Sequence, residues 1–280
     1  MPCTILRKKW YKHIFFFIKM IHSIVENYVK KQQNTTDEFL EIPKIIHQTW
    51  KDETIPEEWL GFQENVKKTF WDCEYKLWTD KDNRELIEKK FAWFLPIYDG
   101  YEKNIERADA IRYFILYEYG GIYIDLDYSV RKNFYDNLDL KKVNIVESYR
   151  NKGFLSNFLM ASPPKHFLWR KVFDALVINR NCKYTLNSTG PNMLSGVLLS
   201  ENINILPFQF YNPPNPNICT VYKFCSLNIL KNNYDFSLWY KSYGNHHNSE
   251  TWRNDEIIVF LKRHILFIVP IAMYFFFIRY

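Results

Sequence analysis

Between residues 105 and 119, apolar side chains recur at Ile105, Ala108, Ile111, Ile115 and Tyr119, a three-to-four spacing that predicts an amphipathic helix. Gly120-Gly121 follows, supplying the residues that most readily take the left-handed conformation a helix stop requires. The next six positions alternate as a strand. Tyr123, Asp125 and Asp127 fall on one face, and Ile122, Ile124 and Leu126 on the other. Apolar runs at 44–50, 74–78 and 143–147 read as further strands, and the patterns at 57–69, 80–90 and 167–179 as helices. The helix at 80–90 opens on Asp80 and Asp82, as its dipole favours. Strands alternating with helices predict an α/β domain with a largely parallel sheet, whose ligands bind beyond the carboxyl ends of the strands. Trp50, Asp125 and Asp127 stand at such ends. Residues 207–217 and 240–252 show no stripe of either period and read as polar, aromatic loops; the second contains His246-His247.

The ends of the chain are patterned differently. Arg7, Lys8, Lys9 and Lys12 precede an apolar run at 14–25, so residues 1–26 read as a signal anchor or as a helix lying on a membrane surface. Residues 27–41 are polar and form a stem, and 42–260 make up the globular domain. Residues 261–280 are a hydrophobic membrane segment. Its apolar core at 265–278 spans about 21 Å, short of the roughly 30 Å hydrocarbon layer, which leaves the number of spans open. The net charge of +6 over 280 residues is modest and dispersed, with no dense basic stripe of the kind that binds nucleic acid. Five cysteines with no C-x-x-C pair argue against a structural zinc site, while Cys219 and Cys225 are spaced for a small disulfide.

The candidate chemistry centres on the two carboxylates. Aspartates one residue apart at a strand end make a hard-oxygen site for a divalent cation that carries phosphates. Isolated D-x-D triplets are common, usually capping loops; the helix, the diglycine and the aromatic strand around this one set it apart. The same residues also look like the start of a haloacid-dehalogenase phosphatase, but the later G-D-x-x-x-D that such an enzyme needs is missing.

Three blocks, I-P-K-I-I-H-Q-T-W-K at 42–51, E-Y-K-L-W-T-D at 74–80 and R-A-D-A-I-R-Y-F-I-L-Y-E-Y-G-G-I-Y-I-D-L-D at 107–127, resemble the D-x-D sugar transferases of glycosyltransferase family 32. That family includes inositol-phosphoceramide mannosyltransferases and initiating α-1,6-mannosyltransferases. The resemblance implies a GT-A fold and retaining transfer of a hexose, mannose from GDP-mannose being favoured, onto a lipid-linked acceptor such as inositol-phosphoceramide. It leaves open a UDP-hexose donor with a glycan or glycoprotein acceptor, and a non-catalytic, transferase-like membrane subunit; an accessory membrane subunit is a further expected partner. Carried over by position, Asp127 would bind Mn²⁺ (or Mg²⁺) directly. Asp125 would contact the ribose and reach the metal through water. Asp109 and Arg112 would hold sugar hydroxyls and the departing phosphate. Trp50, Tyr123, Asn157, Thr189, Gly190, Thr251 and Trp252 would complete the donor site, with Trp50 either stacking on the base or packing in the core. A histidine, His247 or alternatively His246, would be the third metal ligand. The expected location is a lumenal membrane face of the Golgi or endoplasmic reticulum in a eukaryote.

Overall fold

The computed structural model describes residues 40–149, 153–213 and 237–247. The stretches 1–26, 27–39 and 261–280, Cys219 and Cys225, and the site candidates Thr251 and Trp252 lie outside the described residues. Among the described residues no helix is long and apolar enough to cross a membrane.

In chain order the elements are β1 (Ile45–Thr49), α1 (Glu57–Thr69), β2 (Glu74–Trp78), α2 (Asp80–Lys90), α3 (Leu95–Gly100), α4 (Asn104–Tyr119), β3 (Gly121–Ile124) and β4 (Tyr128–Val130). There follow β5 (Asn144–Glu147), β6 (Leu155–Ser162), α5 (Leu168–Asn179), α6 (Thr185–Ser188), α7 (Pro191–Leu198), β7 (Asn204–Leu206), α8 (Phe208–Tyr211), α9 (Ser237–Lys241) and β8 (Gly244–His246). Six strands form one sheet in the order β2-β1-β3-β6-β5-β7, and β4 pairs with β8 in a separate antiparallel ribbon. Five strands of the main sheet run one way, and β6 alone opposes them. The sheet is therefore mainly parallel, as the alternation of elements predicts, with one reversed strand inserted beside β3.

Strand alternation divides the core between the two faces of the sheet. Tyr123, Ile145 and Met160 join α4 and α5 on one side; Ile122, Ile124, Val146 and Leu159 join Val66, Phe70 and Phe134 on the other. Phe114 of α4 stacks on Phe173 of α5, with ring centroids 4.1 Å apart and planes 7° from parallel. This packing corrects the amphipathic reading of α4. The helix lies between sheet and α5, so residues 109–116 are all buried, Asp109 and Arg112 among them, while Tyr119 of the expected apolar stripe is exposed. Such a helix tolerates internal charges only where they are paired.

Two glycines link α4 to β3, and both have positive φ, +66° at Gly120 and +91° at Gly121. A Cβ on Gly121 would stand 2.5 Å from the Ile45 carbonyl oxygen, because β1 passes directly alongside. Gly121→Ala is therefore expected to lower the unfolding free energy by about 1–3 kcal/mol or more, read by urea denaturation followed by fluorescence. A loss below about 0.5 kcal/mol would mean that β1 and β3 part easily at this point.

Candidate active site

The carboxyl ends of β2, β1 and β3, the start of the reversed β6, and the segment 185–192 enclose a cleft of about 550 Å³. Asp109, Arg112, Asp125, Asp127, Asn157, Trp50 and His246 all line it. Strand β3 stops at Ile124, so the two aspartates do not share a pleated face as the alternation predicts. They occupy a tight turn closed by Tyr128 N–H donating to the Asp125 carbonyl at 3.1 Å. The turn is anchored from its neighbours: Asp125 N–H donates to the Phe158 carbonyl at 2.8 Å, and Gln48 Nε2 donates to the Asp125 carbonyl at 3.4 Å.

After the turn, β4 pairs with β8 in a register that sets Tyr128 opposite His246. His246 thereby meets the carboxylates, its Nε2 lying 2.8 Å from Asp127 Oδ1 and 3.5 Å from Asp125 Oδ2. Its ring stacks on Phe158, with centroids 4.7 Å apart, and its backbone N–H donates to Asn212 Oδ1 at 2.9 Å. Adjacent strand residues point to opposite sides, so His247 turns away from the pair. Its Nε2 reaches Ser129 Oγ at 3.0 Å and its ring stacks on Phe62. Of the two histidines the sequence leaves open as third ligand, His246 is the one placed beside the aspartates, and His247 lies away from them.

One oxygen or nitrogen from each of Asp125, Asp127 and His246 lies within 4.8 Å of the others. Burial works against a charge on His246, but hydrogen bonds to Asp125 and Asp127 outweigh it and push its pKa up to about 9. The imidazolium is held as the positive counterpart of two carboxylates, a place a divalent cation would take. Two hard oxygens with one imidazole nitrogen suit Mn²⁺, and Mg²⁺ less closely, so the donor set fits the expected metal.

Arg112 is buried on the cleft wall between both carboxylate groups, 3.3 Å from Asp109 Oδ1 and 3.3 Å from Asp125 Oδ1, and its guanidinium donates to the Asn157 carbonyl at 3.0 Å. Burial opposes its charge, yet Asp125 and Asp109 outweigh that effect and hold it firmly protonated. Asp109 accepts from Asn157 Nδ2 at 2.9 Å and from Thr189 Oγ1 at 3.4 Å. Burial pushes its carboxyl up to about 6 even though Arg112 pulls the other way, with Asp125 adding to the rise. The i,i+3 pair on α4 is thus an interior clamp and not a surface ion pair.

Three expected donor contacts are placed differently. Tyr123 is 1% exposed and faces the core, and its hydroxyl donates to Asp125 Oδ1 at 2.8 Å and meets Thr49 Oγ1 at 2.9 Å. It positions Asp125 and is not part of the cleft wall. Thr189 is fully buried behind Asp109, and Gly190 packs against Leu186. Neither lines the cleft; Thr185, Leu186 and Asn192 do so instead. Trp50 does line it, edge-on to Trp59 at 4.7 Å and donating Nε1 to the Thr54 carbonyl. Asp80 and Asn83 of α2, Asn104 of α4 and Asn212 also line the cleft, and the sequence pattern had not singled them out. The signal available for the first two was their helix start directly after a strand end.

The family described as glycosyltransferase sugar-binding region containing DXD motif matches residues 56–147, the stretch that holds Asp109, Arg112 and both turn aspartates. Inositol phosphoceramide mannosyltransferase 2 of Schizosaccharomyces pombe is 34% identical over 85% of this chain, which spans 66% of that relative's length. Among solved structures, the PaToxG glycosyltransferase aligns with 65% of this chain and 80% of its own at 19% identity and a TM-score of 0.47. An uncharacterized glycosyltransferase of Acanthamoeba polyphaga mimivirus is 30% identical over 64% of this chain and 79% of its own length. Identity at that level across most of another transferase, with the DXD turn inside the matched stretch, means that this chain belongs to the DXD glycosyltransferases of family 32.

Proposed function

We propose that this protein is a retaining mannosyltransferase of GT-A fold that moves mannose from GDP-mannose onto inositol-phosphoceramide, with Mn²⁺ held by Asp125, Asp127 and His246. The observation that carries this reading is the Asp-Asp-His cluster opening on a cleft whose wall holds a buried, doubly paired arginine. The relative named an inositol phosphoceramide mannosyltransferase supplies the sugar and the acceptor. When bound, the cation supplies neutralising charge for the diphosphate that leaves.

The chain's own groups do the rest. Arg112 cannot lose its proton beside two carboxylates, so it presents fixed positive charge to the departing phosphate without reorganising. Asp109, steadied by Asn157 and Thr189, orients donor-sugar hydroxyls. The clamp ties Asp109 to Arg112, which leaves it poorly placed as a nucleophile, and the acceptor hydroxyl attacks from the face the diphosphate leaves. Trapping a mannosyl-enzyme by mass spectrometry would overturn that front-face course. Phe154 and Leu186 are exposed apolar side chains that line the cleft. Exposed apolar side chains on the cleft suit a lipid-borne acceptor taken from a membrane surface, which on this reading is lumenal and in the Golgi.

The test is a panel of nucleotide sugars with Mn²⁺, scoring release of GDP or UDP with and without inositol-phosphoceramide in mixed micelles. GDP-mannose is expected to be turned over fastest, in a metal-dependent and acceptor-stimulated manner. No release from any donor would remove the enzymatic reading.

Tyr123→Phe gives a second check. Outer partners that orient a metal ligand are worth about 10–100-fold in metal affinity, so loss of this hydroxyl should raise the Mn²⁺ concentration for half-maximal turnover by that factor. An unchanged Mn²⁺ requirement would reduce Tyr123 to a packing residue.

A further inference from the structure

The ribbon that brings His246 to the aspartates is slight. β8 is three residues long, and it pairs with β4 by setting Tyr128 opposite His246, Ser129 opposite Asn245 and Val130 opposite Gly244. A two-stranded ribbon is marginally stable at best on its own. A slip of one residue would set His247, and not His246, opposite Tyr128, and would turn every side chain of β8 to the other face.

Side chains on the face away from His246 hold the register. Arg131 follows β4, and its backbone N–H donates to the Tyr243 carbonyl at 2.7 Å, which continues the pairing by one residue. Its guanidinium then forks: Nη1 donates to Ser242 Oγ at 2.8 Å and Nη2 donates to Asn245 Oδ1. The two acceptors bracket the start of β8, and both are buried. Trp239 of α9 backs the fork, with its ring centroid 4.1 Å from the guanidinium carbon. Asn245 Oδ1 also accepts from Ser129 Oγ at 3.0 Å, and Ser129 Oγ in turn meets His247 Nε2. A row of contacts therefore runs from Arg131 through Asn245 and Ser129 to His247. Both acceptors of the fork are neutral, so the guanidinium contributes geometry here and not charge neutralisation.

We propose that Arg131 is a positioning residue that fixes β8 in register and so selects His246, rather than its neighbour, as the ligand beside Asp125 and Asp127. A rigid planar fork meets both acceptors at once in a single register. A lysine ammonium is a compact charge on a flexible stem and imposes no such geometry. The assignment rests on the Mn²⁺ reading above and deepens it by naming what holds the ligand set together.

Mn²⁺ binding by the full-length protein, followed through the paramagnetic resonance of the free ion, tests it beside GDP-release kinetics and thermal denaturation. Arg131→Lys should raise the dissociation constant for Mn²⁺ about 10–100-fold while leaving kcat at saturating Mn²⁺ within about threefold, as for other residues that orient a ligand from behind. The register makes a sharper claim. In the wild type, His246→Ala should weaken Mn²⁺ binding at least about tenfold more than His247→Ala, and in the Arg131→Lys background that gap should close to about threefold or less. Should Arg131→Lys fail to fold, Ser242→Ala takes away one acceptor and is expected to weaken Mn²⁺ binding about threefold or more. An unchanged affinity in the variant that folds, or a gap between the two histidines as wide in the Arg131→Lys background as in the wild type, would overturn the role of Arg131 and leave the metal reading standing. Wild-type protein that binds no Mn²⁺ would overturn both.

Discussion

Asp127→Ala is expected to reduce both sugar-nucleotide hydrolysis and transfer to the acceptor by at least about 10³-fold, at any Mn²⁺ concentration. Loss of a single charge-stabilising group at a reacting centre costs about 10²–10³-fold, and here the same carboxylate also secures the histidine of the cluster through a 2.8 Å contact. The fold should survive. The backbone link in which His247 N–H donates to the Asp127 carbonyl needs no side chain, and the ribbon of β4 and β8 keeps its register. Removing one of two neighbouring carboxylates also relieves like-charge repulsion, which offsets part of the lost pairing with His246. The measurements are GDP release and Mn²⁺ binding, alongside thermal denaturation of the same preparation. Turnover within tenfold of wild type, with a normal melting curve, would show that the DXD turn is not the catalytic centre.

How much of this site was legible before the structure depends on the distance over which each feature is determined. The helix at 57–69 and that at 80–90 are observed with those bounds, because their start signals, Pro56 with Glu57-Glu58 and Thr79 with Asp82, are local. The family resemblance, and not the spacing, put Arg112 in one site with the DXD turn, and both line the same cleft. What failed was set by tertiary packing. The stripe on α4 suggested one buried face, whereas α5 covers the other and buries Asp109 and Arg112 as well. Alternation carried the strand through Asp127, whereas the hydrogen bond from Tyr128 N–H to the Asp125 carbonyl turns the chain after Ile124. Adjacent histidines are equivalent in sequence, and only the register of β8 against β4 tells them apart. Thr189 and Tyr123 carry hydroxyls that look available, yet both are spent on aspartates, one behind the clamp and one beneath the turn. Asn83 was marked only by its helix start directly after a strand end, since a polar residue in the first turns of a charged helix otherwise reads as surface.

The clamp carries the second large effect, in which activity and stability should move in opposite directions. Asp109 titrates near 3.8 when unfolded and near 6 when folded, chiefly because burial disfavours its charge. Between those values the folded protein binds more protons than the unfolded chain, so stability falls as pH rises from about 4 to about 6 and stays reduced above. A shift of that size corresponds to about 2–3 kcal/mol held against the fold at neutral pH. Asp109→Asn removes the charge and keeps a group that can accept from Asn157, while Arg112 retains Asp125 as its partner. The variant should therefore be more stable than wild type at pH 7.5 by about 1 kcal/mol or more, with the gain vanishing towards pH 4. Its kcat/KM should nevertheless fall about 10²-fold or more, because an amide cannot hold sugar hydroxyls or balance the guanidinium as a carboxylate does. Urea denaturation across pH 4–8, run beside GDP-release kinetics, reads both. A variant less stable than wild type at pH 7.5 would show that Arg112 depends on Asp109 for its burial. Full activity in a more stable variant would show that the buried charge serves neither the fold nor the transfer. A carboxylate kept ionised at a cost to the fold, on the wall of the cleft where the donor sugar is bound, is what a catalytic role for Asp109 requires.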